Sequence, residues 1–160
     1  MTRSNEISIT PSVLDRLIDY DPRVKTESAR SRIHDLRDLK QTVRRDLENL
    51  LNARNFTYDI DENLEEVKNS LAVFGLPDFT GISSKDPAEQ NRMTRAIEDA
   101  ITIFDPRFVG VKVNLEPVST LDKQLKFRIE ASLNVEPTPE PVVFDTVLEL
   151  DSGQFGVVEQ

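Results

Sequence analysis

The chain has 160 residues, a formal net charge of −9, a pI near 4.7 and no cysteine. That length fits one domain able to bury roughly 70% of the surface its unfolded chain exposes, and the acidic balance argues against a nucleic-acid binder, which needs an excess of Lys and Arg on some face. The missing thiols exclude disulfides, thiolate nucleophiles and cysteine-based zinc sites. With neither an apolar run of about 18 residues nor an N-terminal apolar signal region, a cytoplasmic protein without direct membrane insertion is expected.

Thr10-Pro11 reads as an N-cap and first-turn pair, and Val13, Leu14, Leu17 and Ile18 recur at helical spacing until Asp21-Pro22 stops them. This short helix belongs to an expected docking arm over residues 1–28, ahead of a domain over residues 29–160. In that domain Ile33, Leu36, Leu39, Val43, Leu47, Leu50 and Leu51 keep one apolar stripe and predict the main helix. Asp61 can cap a third helix with Leu64, Val67 and Leu71 on one face, stopped by Gly75 and Pro77. Asp86-Pro87-Ala88-Glu89 supplies an N-cap, a proline at the first position and a glutamate at the third. Met93, Ile97, Ala100, Ile101 and Phe104 then trace the buried side of a fourth helix, which Pro106 ends.

Beyond Pro106 the apolar period falls from about 3.6 to about 2 residues. Val109, Val111, Val113 and Leu115 form the first alternating set, and Leu125, Phe127, Ile129, Ala131, Leu133 and Val135 the second. Val142, Phe144, Thr146, Leu148 and Leu150 form the third, before Ser152-Gly153 turns into a short last strand, Phe155 to Val158. The proline-rich stretch from Glu136 to Pro141 is a stiff hairpin connection that also blunts unwanted strand pairing. Helices followed by a run of strands predict an α+β fold, with N-terminal helices packed on a C-terminal antiparallel β-meander in a two-layer single domain.

Candidates for chemistry are few. His34 is the single histidine and lies among Arg32, Asp35 and Arg37, where it reads as a solvated side chain rather than a base or metal ligand. The five glycines never form a phosphate-cradling loop. A glycosidase needs two carboxylates about 5 to 9.5 Å apart, one of them in apolar surroundings. Asp105 has Phe104 and Phe108 beside it, but Arg107 opposes a proton-donor role, and the chain offers no Trp and only Tyr20 and Tyr58 as sugar platforms. No catalytic residue, cofactor or metal is assigned.

Charge is distributed unevenly. From Ala29 to Arg54 the basic residues Arg30, Arg32, Arg37, Lys40, Arg44, Arg45 and Arg54 outnumber the acids, and no Lys or Arg follows Arg128. The plain reading of this helix is a solvated, salt-bridged face. In Asp105-Pro106-Arg107, proline fixes the chain's exit from a helix and presents an acid and a planar arginine fork from a rigid corner. Such a corner suits bidentate binding of a partner. Its alternative is an internal lock, with Arg107 pairing a carboxylate such as Glu98 or capping the last helical carbonyls.

Four segments occur in a recognisable order: ITPSVLDRLIDYDP (Ile9 to Pro22), RRDLENLLNAR (Arg44 to Arg54), FGLPDF (Phe74 to Phe79) and IFDPRFVGVKVNL (Ile103 to Leu115). Together they resemble the TssE family of type VI secretion baseplate wedge subunits, and the related wedge protein of contractile phage tails, once described as a lysozyme. The likeness spans nearly the whole chain. Two departures stand out, Ala53 where the family usually has Thr, and Asp105 where it usually has Glu, one methylene longer.

The resemblance implies a structural, non-enzymatic adaptor in each wedge of a sixfold baseplate. It would sit beside TssF and TssG with TssK nearby, touch the first ring of the TssB/TssC sheath and help set where sheath assembly starts. Arg44, Arg45, Asn52, Arg54, Asp105, Pro106 and Arg107 are the partner-binding residues implied. Strand addition at an exposed edge of the meander is the expected physics of the sheath contact, with Phe155 to Val158 the expected edge. The alternatives are the equivalent wedge protein of a phage tail or tailocin, and a peptidoglycan-cleaving, lysozyme-like enzyme.

Overall fold

The computed structural model describes Leu17, Arg23 and residues 36–55, 63–79, 86–116 and 124–159. Helix α1 (Leu36–Asn52), a single-turn helix α2 (Glu65–Lys68) and helix α3 (Pro87–Phe104) precede strands β1 (Phe108–Leu115), β2 (Gln124–Leu133), β3 (Glu140–Glu149) and β4 (Phe155–Glu159). The strands form one antiparallel sheet in the order β1-β2-β3-β4. α1 lies against β4 and α3 against β1, so two helices form one layer and the sheet the other. This is the expected α+β architecture. The N-terminal helix, Ile33, His34 and Asp61 lie outside the described residues, apart from Leu17, which is helical and 75% exposed.

The sequence periods explain the layers. On α1, Leu39, Val43, Leu47, Leu50 and Leu51 are buried, one stripe at three- and four-residue steps. On α3 the Asp86 carboxylate accepts the Ala88 N–H at 2.9 Å, Pro87 fills the first turn, and Met93, Ile97, Ala100 and Ile101 face inward. β2 alternates strictly, burying Leu125, Phe127, Ile129, Ala131 and Leu133, while β3 buries Val142, Phe144, Thr146 and Leu148. Edge-on Phe108 against Phe144, and tilted Phe127 against Phe155, join the strands across the core at centroid distances of 6.1 and 6.3 Å. On the opposite face Arg128 bridges Glu116 and Asp145 at 2.9 and 3.0 Å.

Two local expectations are corrected. The third helix does not run from Leu64 to Leu71. It stops after Lys68, and a 3-10 turn follows at Leu71–Val73. At the break the Ser70 hydroxyl donates to the Val67 carbonyl (2.8 Å) and accepts the Ala72 N–H (3.3 Å), offering the backbone an alternative to the helical ladder. Leu64 and Leu71 are therefore not a buried face but stand 50% and 82% exposed. In β1, a bulge between Val109 and Lys112, with Gly110 at φ +66°, breaks the alternation. Phe108 turns inward and Val109 is left 51% exposed.

The 74–79 segment is stitched to the end of α1. Leu76 donates to the Ala53 carbonyl at 2.9 Å and Asn55 donates to Leu76 at 3.0 Å. Gly75 makes this approach feasible: it sits at φ +101°, and a Cβ there would collide with the Ala53 carbonyl.

Candidate functional site

The corner that follows α3 is built by backbone bonds. Asp105 donates its N–H to Ile101 at 3.0 Å, its carbonyl accepts the Phe108 N–H at 3.1 Å, and the Arg107 carbonyl accepts Asn134 at 2.8 Å. The Asp105 side chain is turned inward and buried. Arg107 grips it with two prongs, Nε to Oδ1 at 2.8 Å and Nη2 to Oδ2 at 2.7 Å, and Nη2 also reaches Asp46 Oδ2 at 3.0 Å. Arg45 in turn donates from Nε and Nη2 to Asp46 Oδ1 at 3.1 and 2.9 Å. A chain of alternating charges, Arg45, Asp46, Arg107 and Asp105, thus pins α1 to the α3–β1 corner. Burial by itself would lower the Arg107 pKa. The hydrogen bonds and attraction from Asp105, with those from Asp46, outweigh it and raise the value, so the guanidinium is held charged.

The rigid corner expected from Asp105-Pro106-Arg107 is present, and Nε and Nη2 of its fork are engaged from within the chain, whereas Nη1 is buried with no hydrogen-bond partner among the described residues. The shorter acid, Asp105, still makes both bonds. Glu98 is not the partner of Arg107; its carboxylate accepts the Val113 N–H of β1 at 2.8 Å. The expectation of Glu98 as the lock's carboxylate is thus corrected to Asp105 and Asp46, and Asp46 was not among the candidates.

The remaining candidates hold the other edge of the sheet. Asn52, at the last turn of α1, behaves like a short piece of strand: Nδ2 donates to the Phe155 carbonyl and Oδ1 accepts the Phe155 N–H, both at 2.9 Å. Arg44 Nη1 donates to the Val157 carbonyl at 3.1 Å, while Arg54 donates to the carbonyls of Gly153 and Leu51. The carbonyls of Gly153, Phe155 and Val157 and the Phe155 N–H, which β3 does not take, thus find their partners on α1 and on Arg54 just beyond it, while the Gly153 N–H returns to Glu149 at the end of β3. The expectation that Phe155 to Val158 offers a free edge is corrected: these carbonyls and the Phe155 N–H are already engaged. Of the seven predicted residues, Arg45, Asp105 and Arg107 form the lock and Arg44, Asn52 and Arg54 the clamp. Pro106 stands exposed at the corner.

Both devices draw their side chains from one continuous region, and a profile of the family described as baseplate wedge protein gp25 matches residues 37–138, well over half of the chain. The chain belongs to this baseplate wedge family. No individual curated protein matches it. The matched region of this wedge protein contains every lock residue and every clamping side chain, whereas β4, which they hold, lies beyond it. Among the described residues no group of His, Asp or Glu could hold a metal ion, and no helix is long and apolar enough to cross a membrane.

Proposed function

We propose that this wedge-family protein is the TssE-type adaptor of a type VI secretion baseplate, joining the TssF/TssG wedge, with TssK nearby, to the first TssB/TssC sheath ring. In this reading it works in the cytoplasm, catalyses nothing and helps initiate sheath assembly. The match of residues 37–138 to the wedge family carries the proposal. The ITPSVLDRLIDYDP segment favours the secretion branch over a phage tail or tailocin, and residues 1–28 act as a docking arm for the domain over residues 29–160. The exposed Arg44, Asn52, Arg54 and Pro106 touch the partner. Arg45 borders them, and Asp105 with Arg107 fixes their positions.

The deciding experiment is co-purification of the tagged full chain from its native cytoplasm, with mass spectrometry after a salt wash. TssF, TssG and sheath proteins are expected. Phage tail proteins in their place would move the protein to that branch. Absence of all of them, with clearing of a cell-wall suspension, would overturn the adaptor reading in favour of the lysozyme-like one.

A further inference from the structure

Six large hydrophobic side chains are exposed among the described residues, and two of them, Leu71 and Ile103, lie on the segments that wall one groove. The groove holds about 320 Å³ between α3 and the 68–77 segment. Ala96, Ala100, Ile103 and Phe104 form one side, and Val73 and Pro77 the other. An edge-on contact of Phe74 with Phe104, at 5.2 Å, braces the two walls. Small residues at 96 and 100 keep the trough open.

Toward the start of α3 the groove passes Ala96 and Asp99 into a second depression of about 380 Å³, lined by Arg92 and Arg95. The combined lining carries Lys68, Arg92 and Arg95 against Asp99 alone, in a chain whose net charge is −9. Arg92 meets Glu89 at 3.6 Å on the exposed surface, and Arg95 has no ion pair among the described residues. An apolar trough that becomes basic along a helix matches an amphipathic helix with apolar anchors at one end and carboxylates at the other. From Ala88 to Phe104 the surface extends about 24 Å, the length of about 16 helical residues. A second copy is disfavoured as occupant because two strongly acidic chains repel.

We propose that this groove docks an acidic amphipathic helix of another protein, its apolar side chains against Ile103 and Phe104 and its carboxylates over Arg92 and Arg95. The inference does not depend on the adaptor reading.

The test uses the full chain and two synthetic helical peptides of about 16 residues that share one leucine stripe, one otherwise glutamate-rich and one lysine-rich, titrated by fluorescence anisotropy at low salt. The glutamate peptide is expected to bind at least about tenfold more tightly, with amide NMR shifts confined to α3 and residues 68–77. Arg92→Glu with Arg95→Glu should remove that preference, and Ile103→Glu should weaken binding about tenfold, both in proteins whose thermal unfolding is unchanged. Equal binding of the two peptides, no binding of the glutamate peptide, or indifference to Ile103→Glu would overturn the proposal. So would a dimer abolished by Ile103→Glu, which would assign the groove to a second copy.

Discussion

Arg107→Ala removes three side-chain hydrogen bonds at once, two to Asp105 and one to Asp46. It leaves two carboxylates facing one another with side-chain exposures of only 9% and 20%. Breaking a fully buried pair by deleting one partner costs about 3 to 5 kcal/mol. Residual exposure, and the hold of Arg45 on Asp46, reduce this to about 2 to 3 kcal/mol. In a domain of this length each kcal/mol moves Tm by about 2 to 4 °C, so a fall of about 5 to 10 °C is expected. Urea unfolding should show a lower midpoint at unchanged slope, which assigns the loss to stability rather than to a changed denatured state. Double-mutant cycles with Asp105→Ala and Asp46→Ala should give the larger coupling to Asp105, which receives two charge-assisted bonds against one. Arg107→Lys should recover less than half of the loss, because an ammonium cannot reproduce the two-pronged grip. A loss below about 0.5 kcal/mol, or coupling to Asp46 exceeding that to Asp105, would refute the lock.

Asn52→Ala removes both bonds to the Phe155 backbone and should cost about 1 to 2 kcal/mol; hydrogen-exchange NMR should show a faster Phe155 amide, and unchanged exchange would count against the clamp. Gly75→Ala forces a Cβ onto the Ala53 carbonyl at a positive φ and should cost at least about 2 kcal/mol in chemical denaturation. The folded-state pKa of Arg107 is raised, so the stability it lends is complete below its unfolded value and declines only as pH climbs through the higher folded one. The stability gap between the wild-type chain and Arg107→Ala should therefore stay constant from neutrality to about pH 10 in urea titrations. Leu47→Ala, at a site 1% exposed, should cost about 2 to 5 kcal/mol by calorimetry.

Where one residue's neighbours in sequence decide its environment, the structure was readable in advance. The stripe from Leu39 to Leu51, the Asp86-Pro87 start of α3, the alternation of β2 and β3 and the Ser152-Gly153 turn are all of this kind. The failures were local competitions. Ser70 diverts the backbone after α2 although the apolar spacing of Leu64, Val67 and Leu71 remains helical, and Gly110 admits a bulge that sends Val109 outward from an apparently regular alternation. The corner at Pro106 was legible as a rigid presentation of Asp105 and Arg107, but its internal partner was not. Asp46 lies 61 positions from Arg107, and Asn52 lies 103 from Phe155. Such pairs depend on how α1 crosses the sheet, which no periodicity encodes.

The clamp changes what strand addition at β4 would require. A free edge would gain a full ladder of new hydrogen bonds from an incoming strand, whereas at the Gly153, Phe155 and Val157 carbonyls and the Phe155 N–H this edge can only exchange partners: each bond formed there displaces one from Arg54, Asn52 or Arg44. The net hydrogen-bond gain at these groups is then near zero, and association has to draw on side-chain burial over the exposed Val158 and the neighbouring sheet face. At β1, Glu98 likewise already takes the Val113 N–H. Edges closed in this way resist indiscriminate pairing between copies. They leave a partner with matching side chains able to compete, because Arg44, Asn52 and Arg54 are exposed and can swing aside without disturbing the buried stripe of α1. A baseplate wedge protein that has to wait unpaired until the right neighbour arrives gains from such an arrangement.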